Sequence, residues 1–129
     1  DAWNNPYLYA VSLTNHAQRG DQSYADWTHA GEAAQVGVPH LSADITICMK
    51  IESSNCRGRD VRADQVAFVV LSYGRDNTSA DDQKENQDDD QVYLLQAESI
   101  AENERFDDQL VWATAADIMY WMLRMGWLP

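Results

Sequence analysis

The sequence predicts an α+β domain, a mainly antiparallel β-sheet followed by a short C-terminal α-helix. Three observations predict it. Five short segments have strand character, most connections are too short for crossover helices, and one strongly apolar helical stretch ends the chain. A length of 129 residues suits one domain over 1–129 and gives no reason for two. A chain of this size buries roughly two-thirds of its unfolded surface, so a true core is within reach.

In order along the chain, PYLYAVS (Pro6–Ser12) alternates aromatic with small or aliphatic residues, as a strand does. Leu13–Ser42 is a long polar connection, with a helical turn expected around His29–Val36. ADITICMKI (Ala43–Ile51) sets Ile45, Ile47, Met49 and Ile51 on one face at period two. QVAFVVLSYG (Gln65–Gly74) is nearly continuous in apolar residues and rich in valine, which predicts a central strand buried on both faces. QVYLL (Gln91–Leu95) and DQLVWAT (Asp108–Thr114) complete the sheet.

Thr114 followed three residues later by Asp117 resembles a capping box and opens the final helix, Ala115–Met125. Its polar residues Asp117, Tyr120 and Arg124 form one stripe. Ile118, Met119, Trp121, Met122, Leu123 and Met125 make the rest apolar, and Gly126 stands where a helix stops. Such a helix packs on the sheet, and its excess apolar, methionine-rich surface is also suited to docking a partner.

The formal charge of −12 argues against a nucleic-acid surface and against anionic lipid. Twelve of the 21 acidic residues lie between Asp76 and Asp108, where the basic residues are Lys84 and Arg105. A field of one sign attracts cations or keeps a surface soluble. No run approaches the ~18 apolar residues of a membrane span. The opening Asp-Ala-Trp, without an initiator methionine, reads as the interior of a longer precursor.

Cys48 and Cys56 are spaced wrongly for a redox C-x-x-C, and the scattered His16, His29 and His40 give no zinc set. ICMKIESSNC reads as a strand entering a polar turn with the second cysteine just beyond it. That favours a disulfide, and so an oxidising compartment, over two free thiols.

ENQDDDQ places three adjacent carboxylates at the mouth of a strand. Asn86, Asp88 and Asp90 have the N-x-D-x-D spacing of the first half of an EF-hand loop. Gln91 occupies the glycine position of that loop and Ala97 its closing glutamate, so it is not an EF-hand. A looser Ca²⁺ site would draw more oxygens from Asp76, Asn77, Asp107 or Asp108; the bland alternative is a solvated acidic turn tethered by Arg105 or Arg75.

Catalytic signatures do not emerge. The chain has no G-x-G-x-x-G, P-loop, G-x-S-x-G or H-x-x-x-H. Carboxylate pairs are expected by chance among so many acids, so no enzyme is expected. A calcium-dependent binding module for glycan or protein is the alternative function, and a secreted hydrolase a more distant one.

Several separated stretches resemble one family. DAWNNPYLY resembles the D-x-W-G-N-P-Y segment of type IV pilins and type II secretion pseudopilins, and FVVLSYGRDN their strand ending in S-x-G-x-[DN]-G. ENQDDDQVYLL is similar to the E-N-x-D-G-D segment of a pilin-like subgroup. FDDQLVWAT, the following helix and terminal MGWLP are similar to that subgroup's F-D-D-x-[LIV]-x-W strand and closing helix. Leu13–Asp64 carries no part of the resemblance. Asn4, Asn77 and Asp89 replace family glycines; asparagine tolerates positive φ better than most residues.

The resemblance implies a pilin-type globular head without its hydrophobic N-terminal helix. Partners would be other pilin subunits, joined through that helix, and the head itself would lie outside the membrane and be monomeric as a fragment. It would face the periplasm before assembly and the cell exterior afterwards, serving adhesion, motility or secretion. In the family's major pseudopilins a loop between S-x-G-x-D-G and D-I-x-x-W binds calcium. Here Asp76 and Asn77 match one end of that loop, and Asp107 or Asp108, before Trp112, the other.

Overall fold

The computed structural model describes residues 1–13, 27–28, 36–37, 40–51, 56–74, 86, 90–97 and 107–127. Five strands form one curled sheet: β1 (Leu8–Val11), β2 (Ile45–Cys48), β3 (Val61–Ser72), β4 (Val92–Leu94) and β5 (Gln109–Thr114). The helix α1 (Ala115–Arg124) follows β5 without a loop. This is the α+β arrangement expected, with the expected helical turn at 29–36 lying outside the described residues except for Val36.

β3 organises the sheet. Val66 pairs with Ile45 of β2 and Thr114 of β5, while Phe68 pairs with Val11 of β1 and Ala113 of β5. β1 and β2 therefore lie end to end along one edge of β3, and β5 runs along the other. Where β1 meets β2, buried Ser12 donates its hydroxyl to Asp44 Oδ1 at 2.6 Å and accepts from Asp44 N–H at 3.0 Å. Ser12 N–H continues the ladder to Ala67.

β3 begins four residues earlier than its apolar run suggested. Val61 and Ala63 alternate with exposed Arg62 and Asp64, so this half is solvated on one face and its hydrophobicity is diluted. The β3–β5 register slips between Val66 and Phe68, the count of a β-bulge, and Gln65 takes φ 50°. The expectation of burial on both faces holds only in part, because Phe68 and Val70 are half-buried.

β4 departs from the antiparallel pattern and runs parallel to β2, with Thr46, Ile47 and Cys48 opposite Val92, Tyr93 and Leu94. β2 is shorter than its period-two face. Ile45 and Ile47 are fully buried, but Met49 is exposed as the chain turns away after Cys48.

The main core joins Ile45, Ile47, Val66, Val69, Leu71, Tyr93 and Leu110. A second cluster, Ala43, Ala67 and Ala115, lets α1 approach closely and is covered by Trp27, Ile118 and Met119. Small residues there serve that close packing. Trp27 is held by its indole N–H, which donates to Ser42 O at 2.7 Å.

The predicted capping box is present: Asp117 N–H donates to Thr114 Oγ1, and Thr114 N–H to Asp117 Oδ2. At the other end Trp127 N–H reaches Met122 O and Gly126 N–H reaches Leu123 O, with Gly126 at φ 72°. That is a Schellman stop, and a left-handed φ is why glycine stands there.

Candidate functional site

Two polar junctions lie at the ends of the acidic segment. At the first, Asp1–Asn5 folds into a turn in which Asp1 Oδ1 accepts from Trp3 N–H at 3.0 Å and Asn5 N–H at 2.7 Å. Asn4 sits at φ 65°, a conformation asparagine accepts with less strain than other non-glycine residues. The turn is fastened to the end of β3. Ser72 donates its hydroxyl to Asp1 Oδ2 at 2.7 Å, and Asn5 Nδ2 donates to Gly74 O at 2.8 Å.

Gly74 is then pressed against the far end of the same segment. Its φ is +66°, and a Cβ built on it would collide with the carboxylate and carbonyl of Asp107. Only glycine satisfies both the dihedral and the contact.

At the second junction, Asn86 Oδ1 accepts from Leu94 N–H at 2.7 Å, while Nδ2 donates to Leu94 O at 3.1 Å and Asp108 Oδ2 at 2.8 Å. Asn86 and Asp108 are both buried, at 5 % exposure each. Asp90 Oδ1 accepts from Val92 N–H at 2.6 Å and so sets the start of β4. Asn86 and Asp90 thus spend a side-chain oxygen on a backbone donor, while Asp108 accepts from the Asn86 amide.

Of the proposed calcium ligands, the structure brings Asn86 and Asp108 together and puts Asp107 beside Gly74. Asp76, Asn77 and Asp88 lie outside the described residues. Among the described residues no three His, Cys, Asp or Glu side chains gather as a metal centre requires.

Cys48 and Cys56 form the predicted disulfide, with Cα atoms 5.8 Å apart and both residues buried. It closes the turn after β2 beside the short 3₁₀ helix Gly58–Asp60 that leads into β3.

A cavity of about 110 Å³ opens between β1, the core face of β3, and Tyr93, Tyr73 and Asn86. Its lining offers three phenols, of Tyr9, Tyr73 and Tyr93, and one amide, which do not form an acid–base pair or a nucleophile with its base.

The other notable surface is apolar. Trp3, Tyr7 and Tyr9 near the N-terminus are exposed, as is Val111, which stands two strands from Tyr9 across Val70. On and beyond α1, Trp121, Leu123, Met125 and Trp127 are exposed too, at 56–72 %. The inward stripe of α1 is Ala115, Ile118, Met119 and Met122, so two of the three methionines lie on the half-buried side and the exposed apolar side chains are chiefly Trp121, Leu123 and Met125.

The sequence signal missed here was the contact between its own two best motifs. Asp1 and Asn5 belong to DAWNNPYLY, Ser72 and Gly74 to LSYG, and nothing in either stretch announces the other. No protein-family model, curated protein or solved structure matches the chain.

Proposed function

We propose that this chain is the head domain of a type IV pilin or pilin-like pseudopilin subunit, a structural element of an extracellular filament rather than an enzyme. The observation that carries the reading is the junction of the two resembling stretches. Residues 1–5 and 72–74 interlock through Asp1–Ser72 and Asn5–Gly74 hydrogen bonds, although 69 residues separate the latter pair. The resemblance has the first stretch lead into the sheet and the second end a strand, and the contact of residues 1–5 with the end of β3 supports that reading.

Two further features support it. Exposed apolar side chains, at Trp3, Tyr9 and Val111 and separately on α1, are what a head built to pack against an apolar helix and other subunits presents. The Asp1 nitrogen donates to Asn5 O at 2.9 Å, and a peptide nitrogen at that position also carries one N–H to donate.

In this reading the head resides at the periplasmic face of the inner membrane before assembly and outside the cell afterwards. Sequencing the gene upstream of Asp1 tests it. A short basic leader, a glycine and about 20 apolar residues with a glutamate near their start are expected. A reading frame that opens at or just before Asp1 overturns the proposal.

Calcium enters as a separate part of the reading, through Asp76, Asn77, Asn86, Asp88, Asp90, Asp107 and Asp108. Calorimetric titration with Ca²⁺ decides it: heat and a higher Tm support it, and no heat with no effect of EDTA retires it.

A further inference from the structure

We infer that the Asp1–Asn5 turn is a rigid joint, fixing the direction in which polypeptide attached at the Asp1 nitrogen leaves the domain. The inference rests on reading this chain as a carried head, and adds how such a head is held. Terminal residues of most domains fray unless something ties them down. These five are tied twice over.

Within the turn, the Asp1 amino group donates to Asn5 O at 2.9 Å and Asn4 N–H to Asp1 O at 3.2 Å. Asp1 Oδ1 receives Trp3 N–H and Asn5 N–H. Asp1 is therefore the hub, its main chain and carboxylate both closing the loop on itself. Pro6 then holds the next φ near −65°.

Two further bonds lock the turn to the sheet, Ser72 Oγ to Asp1 Oδ2 at 2.7 Å and Asn5 Nδ2 to Gly74 O at 2.8 Å. The anchoring surface is itself firm. Ser72 is 3 % exposed and its Oγ accepts from Gly74 N–H at 3.2 Å. The strand below it is paired on both edges, with Leu71 opposite both Leu8 and Leu110. A flexible tether has none of this and is typically rich in glycine and serine, which residues 1–6, DAWNNP, lack.

The test is ¹⁵N relaxation of the backbone amides of Ala2, Trp3 and Asn4 in the 129-residue protein and in Ser72→Ala, Asn5→Ala and the double variant. In the unsubstituted protein all three amides are expected near the rigid value of about 0.85 in order parameter. Each single variant lowers them, and the double variant takes them below about 0.6, while β3 amides stay rigid and show that the fold persists. Values already below about 0.6 in the unsubstituted protein overturn the joint, as does a double variant indistinguishable from it. Either failure leaves the filament reading standing, because the gene upstream of Asp1 decides that separately.

Discussion

The side chain of Asn86 pairs with the main chain of Leu94 as a neighbouring strand would, accepting from its N–H at 2.7 Å and donating to its carbonyl at 3.1 Å. On the opposite side Leu95 N–H reaches Cys48 O, so the three-residue β4 lies between β2 and the Asn86 amide. Nδ2 also reaches Asp108, which ties the segment before β5 to the same point.

Asn86→Ala is therefore expected to cost about 1–3 kcal/mol, because the buried Leu94 N–H loses its acceptor. Asn86→Asp keeps the shape but sets a second carboxylate against Asp108, where like charge and burial raise the pair's pKa. A carboxyl with a raised folded pKa is tolerated below its unfolded value and loses stability as pH rises. Urea melts should show Asn86→Asp closer to the parent at pH 4.5 than at pH 7. A variant equally stable at both values speaks against the buried pair.

Much of this fold was legible because its physics is local. Ile45 and Ile47 alternate, Thr114 and Asp117 stand at capping distance, and Gly126 marks the helix stop. What escaped depends on partners far along the chain. The parallel β2–β4 pair has no local signature, and the first turn of β3 is hidden by outward Arg62 and Asp64. Asn86 shows the limit most plainly. The amide oxygen that makes asparagine a plausible cation ligand is the same atom that caps a strand edge, and spacing cannot separate the two uses.

Gly74 and Gly58 offer a controlled comparison. Both have left-handed φ, +66° and +59°, but only Gly74 has a neighbour, Asp107, where a Cβ would go. Gly58→Ala should cost about 1 kcal/mol, the dihedral penalty alone. Gly74→Ala adds a collision with backbone and carboxylate and should cost about 3 kcal/mol or more. Equal losses in thermal melts of the two variants would show that Asp107 does not press on Gly74.

The capping box gives a pH dependence with a definite sign. The Asp117 carboxyl is held below its ordinary 3.8, first by the hydrogen bond to the Thr114 side chain and then by that to the Thr114 backbone. A depressed pKa contributes stability above the unfolded value and loses it as pH falls through the lower folded value. The first turn of α1 should therefore loosen only below about pH 4. Far-UV circular dichroism between pH 5 and 2 should show that acid loss of helix, and Asp117→Asn should abolish this component while weakening the helix at neutral pH. A variant with an unchanged acid limb removes Asp117 as its source.

The disulfide joins the end of β2 to the approach of β3 across eight positions of sequence. Cys48 is fully buried, and its carbonyl also carries the Leu95 N–H, so this corner holds β2, β3 and β4 together. Opening a nine-residue loop costs about 2.6 kcal/mol in the chain-entropy relation. For a domain whose net stability falls in the range of about 5–15 kcal/mol, that is a large share but not all of it. Cys48→Ala/Cys56→Ala is expected to fold at 25 °C with a lower urea midpoint and an m-value no smaller than the parent's, because the unlinked denatured chain is less compact. The parent treated with reductant under denaturing conditions should refold, while kept reduced, to a similarly reduced stability. If the double variant matches the oxidised parent in midpoint, the bridge does not constrain the unfolded chain, and the corner is held by β2–β3 and β2–β4 pairing alone.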